Sequence, residues 1–202
     1  MRRGYDAIAE RYAEWASSFE SPALHWVEKL EERLPERSRV LELGCGGGGP
    51  ATRALAARHD VVGVDISERQ LERARRLVPE ARFLRADATE IAFDRESFDA
   101  VVSLFMLGHV PRAKQQLLLE RIFGWLAPGG LLLATLGTAN AADEVEADWL
   151  GAPMFFASYD EEWNRRALGA AGFVLEEARV VPVEEPGHGV VRFMWVLARK
   201  PA

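Results

Sequence analysis

Residues 40–50 read VLELGCGGGGP, five glycines around the only cysteine of the chain, Cys45. Each glycine costs backbone entropy and contributes no packing, so a cluster this dense needs something that approaches the backbone closely. An acid, Glu42, precedes the cluster. Two more, Asp65 and Asp87, end the apolar stretches DVVGVD and ARFLRAD. Carboxylates so placed can accept hydrogen bonds from sugar hydroxyls or from an exocyclic amine. Four histidines supply candidate bases. His109, in GHVPR, and His188, in PGHGV, stand beside strand-like runs and are the catalytic candidates. His25 and His59 read as helix-surface and helix-end residues.

The elements that would hold these groups alternate between strand and helix. Residues 5–19 have the pattern of an amphipathic helix, and Ser21-Pro22 offers an N-cap and N1 proline for a second one ending near Leu34. RVLEL (39–43) is a strand and residues 52–58 a helix. DVVGVD (60–65) is a strand, followed by a helix capped by Ser67 and stopped before Pro79. ARFLRAD (81–87) and SFDAVVSLFML (97–107) are strands. Residues 111–126 are helical, and PGG (128–130) turns the chain into LLLATLG. Residues 139–157 break the rhythm, acidic but carrying Trp149, Met154, Phe155 and Phe156. A helix at 161–171 ends on Gly172. Two strand-like runs, FVLEEARVVPV and GVVRFMWVLAR, close the chain around a hairpin turn, so the last strand runs antiparallel to its neighbour. The pattern predicts an α/β, Rossmann-like, doubly wound sheet of seven strands, mostly parallel.

Composition bounds the function. The chain has 202 residues, 49% of them hydrophobic and 28% charged, which suits one domain with a sizeable core. A net charge of −6 weighs against a binder of nucleic-acid phosphates. The run Arg69, Arg73, Arg75 and Arg76 reads as a solvated helix face. One cysteine excludes an internal disulfide framework, and no metal-ligand cluster is visible. No apolar run reaches membrane-spanning length, and the first residues lack the apolar core of a signal peptide. The expectation is a cytoplasmic protein with no nucleic-acid or membrane partner, monomeric or a homodimer.

The glycine loop admits two readings. Gly44-x-Gly46-x-x-Gly49 with Asp65 about 20 residues on satisfies the dinucleotide fingerprint. Glu42-x-Gly44-x-Gly46-x-Gly48 fits equally well a loop that holds S-adenosylmethionine. Three features favour the second: two helices precede the first strand, Pro50 follows Gly49 directly, and a second acid, Asp87, ends the third strand. A nicotinamide-dependent oxidoreductase would also want a Tyr-x-x-x-Lys pair, and no lysine here has one.

On VLELGCGGGGPATRALA, VVGVDISERQLERAR, ARFLRADATEIAF, SFDAVVSLFMLGHVPR and WLAPGGLLL, the chain resembles class I S-adenosylmethionine-dependent methyltransferases of the small-molecule, type 11 domain kind. The resemblance covers residues 38–136. It implies a helical lid (1–36), a cofactor-binding core (37–138), a substrate-side insertion (139–157) and a C-terminal helix and hairpin (158–202), all one domain. It implies that Glu42, Gly44, Cys45, Gly46 and Gly48 line the methionine part of the cofactor. Asp65 would grip the ribose, Ile66 would lie on the adenine, and Asp87 with the Ala88 N–H would read its edge. Ser103 and Leu104 would flank the sulfonium, and Tyr12 would close over the cofactor. Tyr5, Trp149, Phe155, Phe156 and Tyr159 would wall an apolar or aromatic acceptor pocket. SLFMLG stands where amino-methyltransferases of DNA bases carry their Asn/Asp-Pro-Pro-Tyr/Phe motif, which points away from nucleic acid. A cofactor-binding protein without turnover stays open as an alternative.

Overall fold

Alternation along the central strands builds two cores. In β1 (Arg39–Leu43), Leu41 and Leu43 face one side of the sheet and Val40 the other. The same split recurs in β4 (Phe98–Ser103), with Val101 against Ala100 and Val102, and in β5 (Leu126–Leu136), with Leu132 and Ala134 against Leu131 and Leu133. Helices α2 (Ala23–Glu31) and α3 (Pro50–Arg58) cover one face through Trp26, Val27, Leu30 and Leu55. Helices α5 (Arg112–Trp125) and α6 (Glu161–Ala171) cover the other through Leu118, Ile122, Trp125 and Leu168. Strands buried on both faces are nearly continuous apolar runs, which is how β1 and β5 read.

The computed structural model describes residues 1–202. The remaining elements are α1 (Arg2–Ser17), β2 (Asp60–Asp65), α4 (Glu68–Leu77), β3 (Arg82–Arg85), β6 (Ala141–Trp149), β7 (Ala152–Ser158), β8 (Val174–Glu185) and β9 (Gly189–Arg199). Seven strands form one sheet in the order β3-β2-β1-β4-β5-β9-β8. The first five are parallel, and β9 runs antiparallel to both β5 and β8. Strand order reverses between β1 and β4, and the crevice beyond their carboxyl ends is where such sheets bind ligands. No helix is long and apolar enough to cross a membrane.

Local signals set most boundaries. Ser67 accepts from the Gln70 N–H as the N-cap of α4, and Gly172 ends α6 at φ 103°. Four expectations change. The acidic interruption is a separate two-stranded hairpin, β6–β7. Strand β4 stops at Ser103, and residues 107–109 make a 3-10 turn. Residues 128–130 lie inside β5, where the register against β4 shifts between Phe98 and Ala100. Pro50 opens α3 at its first turn, so it starts a regular helix and does not itself argue against a phosphate there.

Candidate functional site

The glycine loop joins β1 to α3, and its glycines serve different neighbours. A Cβ on Gly44 would fall 2.7 Å from the Met106 side chain, and one on Gly48 would fall 3.1 Å from the Ala74 Cα of α4. Gly44 is required by the protein's own packing, and Gly48 sits tightly against α4. Gly46, at φ +53°, opens on free space. Gly49 opens on free space too, and at these two positions an external group can come up to the backbone.

Glu42 lies beneath this loop and is buried. One carboxylate oxygen, Oε1, accepts from Thr52 Oγ1 at 3.1 Å, and the other, Oε2, has no partner. Burial pushes Glu42 up to about 8, against the pull of the Thr52 hydrogen bond. The Ser103 Oγ at the end of β4 is likewise buried and unpartnered. Cys45 turns its sulfur toward Gly63 and Phe83 of the sheet, so only its backbone can line the crevice. Burial raises that thiol well above its usual range, the opposite of an activated nucleophile.

Asp65 ends β2. Its Oδ2 accepts from the Gly46 N–H at 2.9 Å and its Oδ1 from the Ser67 N–H at 2.8 Å. The residue therefore ties the loop to α4 as well as offering its remaining lone pairs. Burial raises its pKa, and the N–H groups of Ser67, Gly46 and Ile66 oppose that shift. Asp87 caps the turn after β3 by accepting from the Thr89 N–H at 2.8 Å, and the Ala88 N–H is taken by no backbone carbonyl. Leu104 packs toward the α2–α3 core, which leaves only its main chain near the crevice.

A roof closes over the carboxyl end of the sheet, made of α1, the β6–β7 hairpin and the β8–β9 turn. Ile8, Trp149, Ala152 and Met154 form its buried centre, with Tyr5, Tyr12, Trp15 and Phe156 packed around them. The approach is close: a Cβ on Gly4 would lie 2.7 Å from the Pro153 carbonyl oxygen. Trp15 Nε1–H donates to the Pro186 carbonyl at 2.9 Å and fastens α1 to the β8–β9 turn. Burial pushes Tyr12 up to about 12, with the Asp65 and Glu185 charges adding to it.

Both nitrogens of His109 are engaged. Nδ1 lies 2.8 Å from the Phe155 carbonyl oxygen, which can only accept, so Nδ1 carries the proton. Nε2 is then bare and accepts from the Tyr5 hydroxyl at 2.8 Å. Burial pushes the imidazole down to about 4. The structure thus makes His109 a neutral brace between α1 and β7, in place of the free base expected. His188 is exposed on the β8–β9 turn, beyond Trp149, whose ring separates it from His109. Tyr159 is not brought to the roof: it stacks on Trp163, ring centroids 3.6 Å apart, under the Arg112 guanidinium. Thr52, Met106, Trp15 and Asp6 were not singled out by sequence. Nothing local marks them, because their partners lie in other elements.

Residues 40–130, from β1 into β5, match the family described as "Methyltransferase domain". That stretch is a methyltransferase domain of the class I S-adenosylmethionine-dependent kind. Among curated relatives, trans-aconitate 2-methyltransferase of Variovorax paradoxus (strain S110) is 42% identical over 102 residues, covering 49% of this chain and 38% of that protein. The 27-O-demethylrifamycin SV methyltransferase of Amycolatopsis mediterranei (strain S699) is 33% identical over 168 residues, covering 70% of this chain and 61% of that protein. The chain spans less than two thirds of the length of these curated relatives. In fold, it matches the Burkholderia thailandensis 1,6-didemethyltoxoflavin-N1-methyltransferase with bound 1,6-didemethyltoxoflavin and S-adenosylhomocysteine. The TM-score is 0.75 at 19% identity, covering 100% of this chain and 87% of that one. The family's cofactor is S-adenosylmethionine, and the residues present fit it: an unpartnered buried carboxylate for an ammonium, and an open glycine beside it. The match over residues 40–130, which contain the loop, sets aside its nicotinamide reading.

Proposed function

We propose that this chain methylates a small-molecule acceptor held under the α1 roof. The observation that carries the reading is Glu42 Oε2, a buried carboxylate oxygen with no partner next to a loop that opens at Gly46. Charging a buried carboxyl without a partner is costly, so Glu42 holds a proton near neutral pH, and a ligand ammonium would let it ionise. Glu42 would hold the amino-acid end of the cofactor, Asp65 the ribose hydroxyls, and Asp87 with the Ala88 N–H the adenine edge. Ile66 would pack on the adenine, and Ser103 would meet the methionine tail.

When bound, S-adenosylmethionine supplies a methyl group on a good leaving group, so the chain's own task is alignment and exclusion of water. Tyr5, Tyr12, Trp149 and Phe156 give the roof an aromatic inner surface, which suits a flat or apolar acceptor. Phe155 contributes its carbonyl to the His109 brace, and Tyr159 drops out of the pocket. His109, neutral and doubly engaged, is a weak base. The reading therefore favours acceptors whose nucleophile needs little help in losing a proton, such as a thiolate, a phenolate or a tertiary amine.

The test is calorimetric titration with S-adenosylhomocysteine and, separately, NAD. Wild type is compared with Asp65→Asn and Asp65→Ala, because Asp65 also braces the loop. Micromolar binding of S-adenosylhomocysteine, weakened in both variants, supports the reading and justifies an acceptor screen. Binding of NAD alone overturns it. Turnover in the screen separates the enzyme from a cofactor-binding protein without activity.

A further inference from the structure

Two successive side chains of α1 reach to opposite sides of the crevice. Tyr5 donates its hydroxyl proton to His109 Nε2, on the loop after β4, and His109 in turn holds the Phe155 carbonyl of β7. Asp6 points the other way. Its Oδ1 accepts from Ser67 Oγ at 2.6 Å and lies 3.4 Å from the Arg69 N–H, at the start of α4. Ser67 is fully buried, and its own N–H is the donor that fixes Asp65 Oδ1.

We propose that Tyr5 and Asp6 are positioning residues that close α1 in a single register, with Asp6 keyed to the cofactor side through Ser67 and Tyr5 to the acceptor side through His109. The inference rests on the function proposed above. The chain of contacts is short: Asp6 to Ser67, Ser67 to Asp65, Asp65 to the Gly46 N–H. A lid that docks on Ser67 therefore docks on the residue that orients the ribose acid. An adjacent pair pointing both ways also means that α1 cannot seat on one half of the crevice without meeting the other. Asp6 is suited to this work because a carboxylate at a helix N-terminus is stabilised by the helix dipole and by free N–H groups. A hydrogen bond to a charged acceptor is stronger than one between neutral groups, which lets this contact bias a lid.

The experiment uses the whole chain and three variants, Asp6→Ala, Asp6→Asn and Tyr5→Phe. Hydrogen exchange of residues 2–17 is followed without ligand. Dissociation of S-adenosylhomocysteine is followed by stopped-flow fluorescence of Trp15 and Trp149, which sit in the roof. Asp6→Ala and Tyr5→Phe are expected to speed exchange in α1. Asp6→Ala is expected to speed dissociation about ten-fold, with association changed by less than about two-fold. Asp6→Asn, which keeps an acceptor oxygen, recovers most of the loss. Unchanged exchange in Asp6→Ala overturns the proposal. Faster exchange with unchanged dissociation also overturns it, leaving a purely structural contact. Failure of wild type to bind S-adenosylhomocysteine overturns the function itself and the positioning role with it. It is told apart from the other failures because it appears before any variant is made.

Discussion

Glu42 shares one oxygen with Thr52 at 3.1 Å and leaves the other without a partner, beneath the loop that opens at Gly46. With its pKa pushed up to about 8, the carboxyl carries a proton near neutral pH when no cation is beside it. A ligand ammonium next to Oε2 lowers that value. Binding of S-adenosylhomocysteine near pH 7 is then expected to release close to one proton. Calorimetry in buffers of different ionisation enthalpy reads this directly. Glu42→Gln should abolish the release and weaken binding about 10- to 100-fold, the size of a lost charge-assisted contact. A binding heat that does not depend on buffer would place the ammonium elsewhere.

The same shift has a consequence for stability. An unfolded glutamate titrates near 4.5, whereas folded Glu42 does so near 8. Between those values the folded state holds more protons than the unfolded one, so stability falls as pH rises. The contribution is fully present below about pH 4.5 and is lost through pH 8, on the order of a few kcal/mol at most. Chemical denaturation of the ligand-free protein at pH 5 and pH 8 is expected to show a smaller loss for Glu42→Gln than for wild type. Equal losses in the two proteins would show that Glu42 is not the group responsible.

The glycine loop separates folding from binding. Gly46→Ala meets open space, so its cost is that of a side chain at positive φ, about 1 kcal/mol. Its folding should survive while ligand affinity drops. Gly44→Ala meets Met106 at 2.7 Å in addition to its positive φ, and it should lower the melting temperature more than Gly46→Ala does. Melting curves with and without S-adenosylhomocysteine distinguish the two. A Gly46→Ala protein that binds like wild type would remove Gly46 from the site.

Much of this was legible in the sequence because it is local. The glycine cluster, the acid closing β2, the Ser67 cap, the Gly172 stop and the antiparallel final strand each follow from neighbours in the chain, whereas β3 stops at Arg85, two residues short of Asp87. What stayed hidden depends on distant partners. Asp6 gains its meaning only when α1 lies on Ser67, and Tyr159 loses its expected place only when Trp163 and Arg112 flank it. The acidic stretch 141–149 was not read as a strand: its residues are exposed except Trp149, and exposed strands lack a buried-face pattern. The glycines resisted a single explanation for the same reason, since a sequence cannot show that Gly44 and Gly48 face protein while Gly46 faces space.

His109 offers the sharpest test of mechanism, because brace and base predict opposite results. A general base contributes about 10²- to 10⁴-fold to rate, and its loss cannot be made good by a neutral amide. A brace needs only one donor toward the Phe155 carbonyl and one acceptor toward Tyr5, and an amide supplies both. Once an acceptor is in hand, His109→Gln is expected to keep kcat within about ten-fold of wild type, and His109→Ala to lose more through a loosened roof. With its pKa pushed down to about 4, the wild-type imidazole does not titrate between pH 5.5 and 8, so it should leave no inflection in kcat over that range. A loss of several hundred-fold in His109→Gln, with an inflection near pH 6 that vanishes in the variant, would restore His109 as the base. It would also require Tyr5 to leave Nε2 when the acceptor binds.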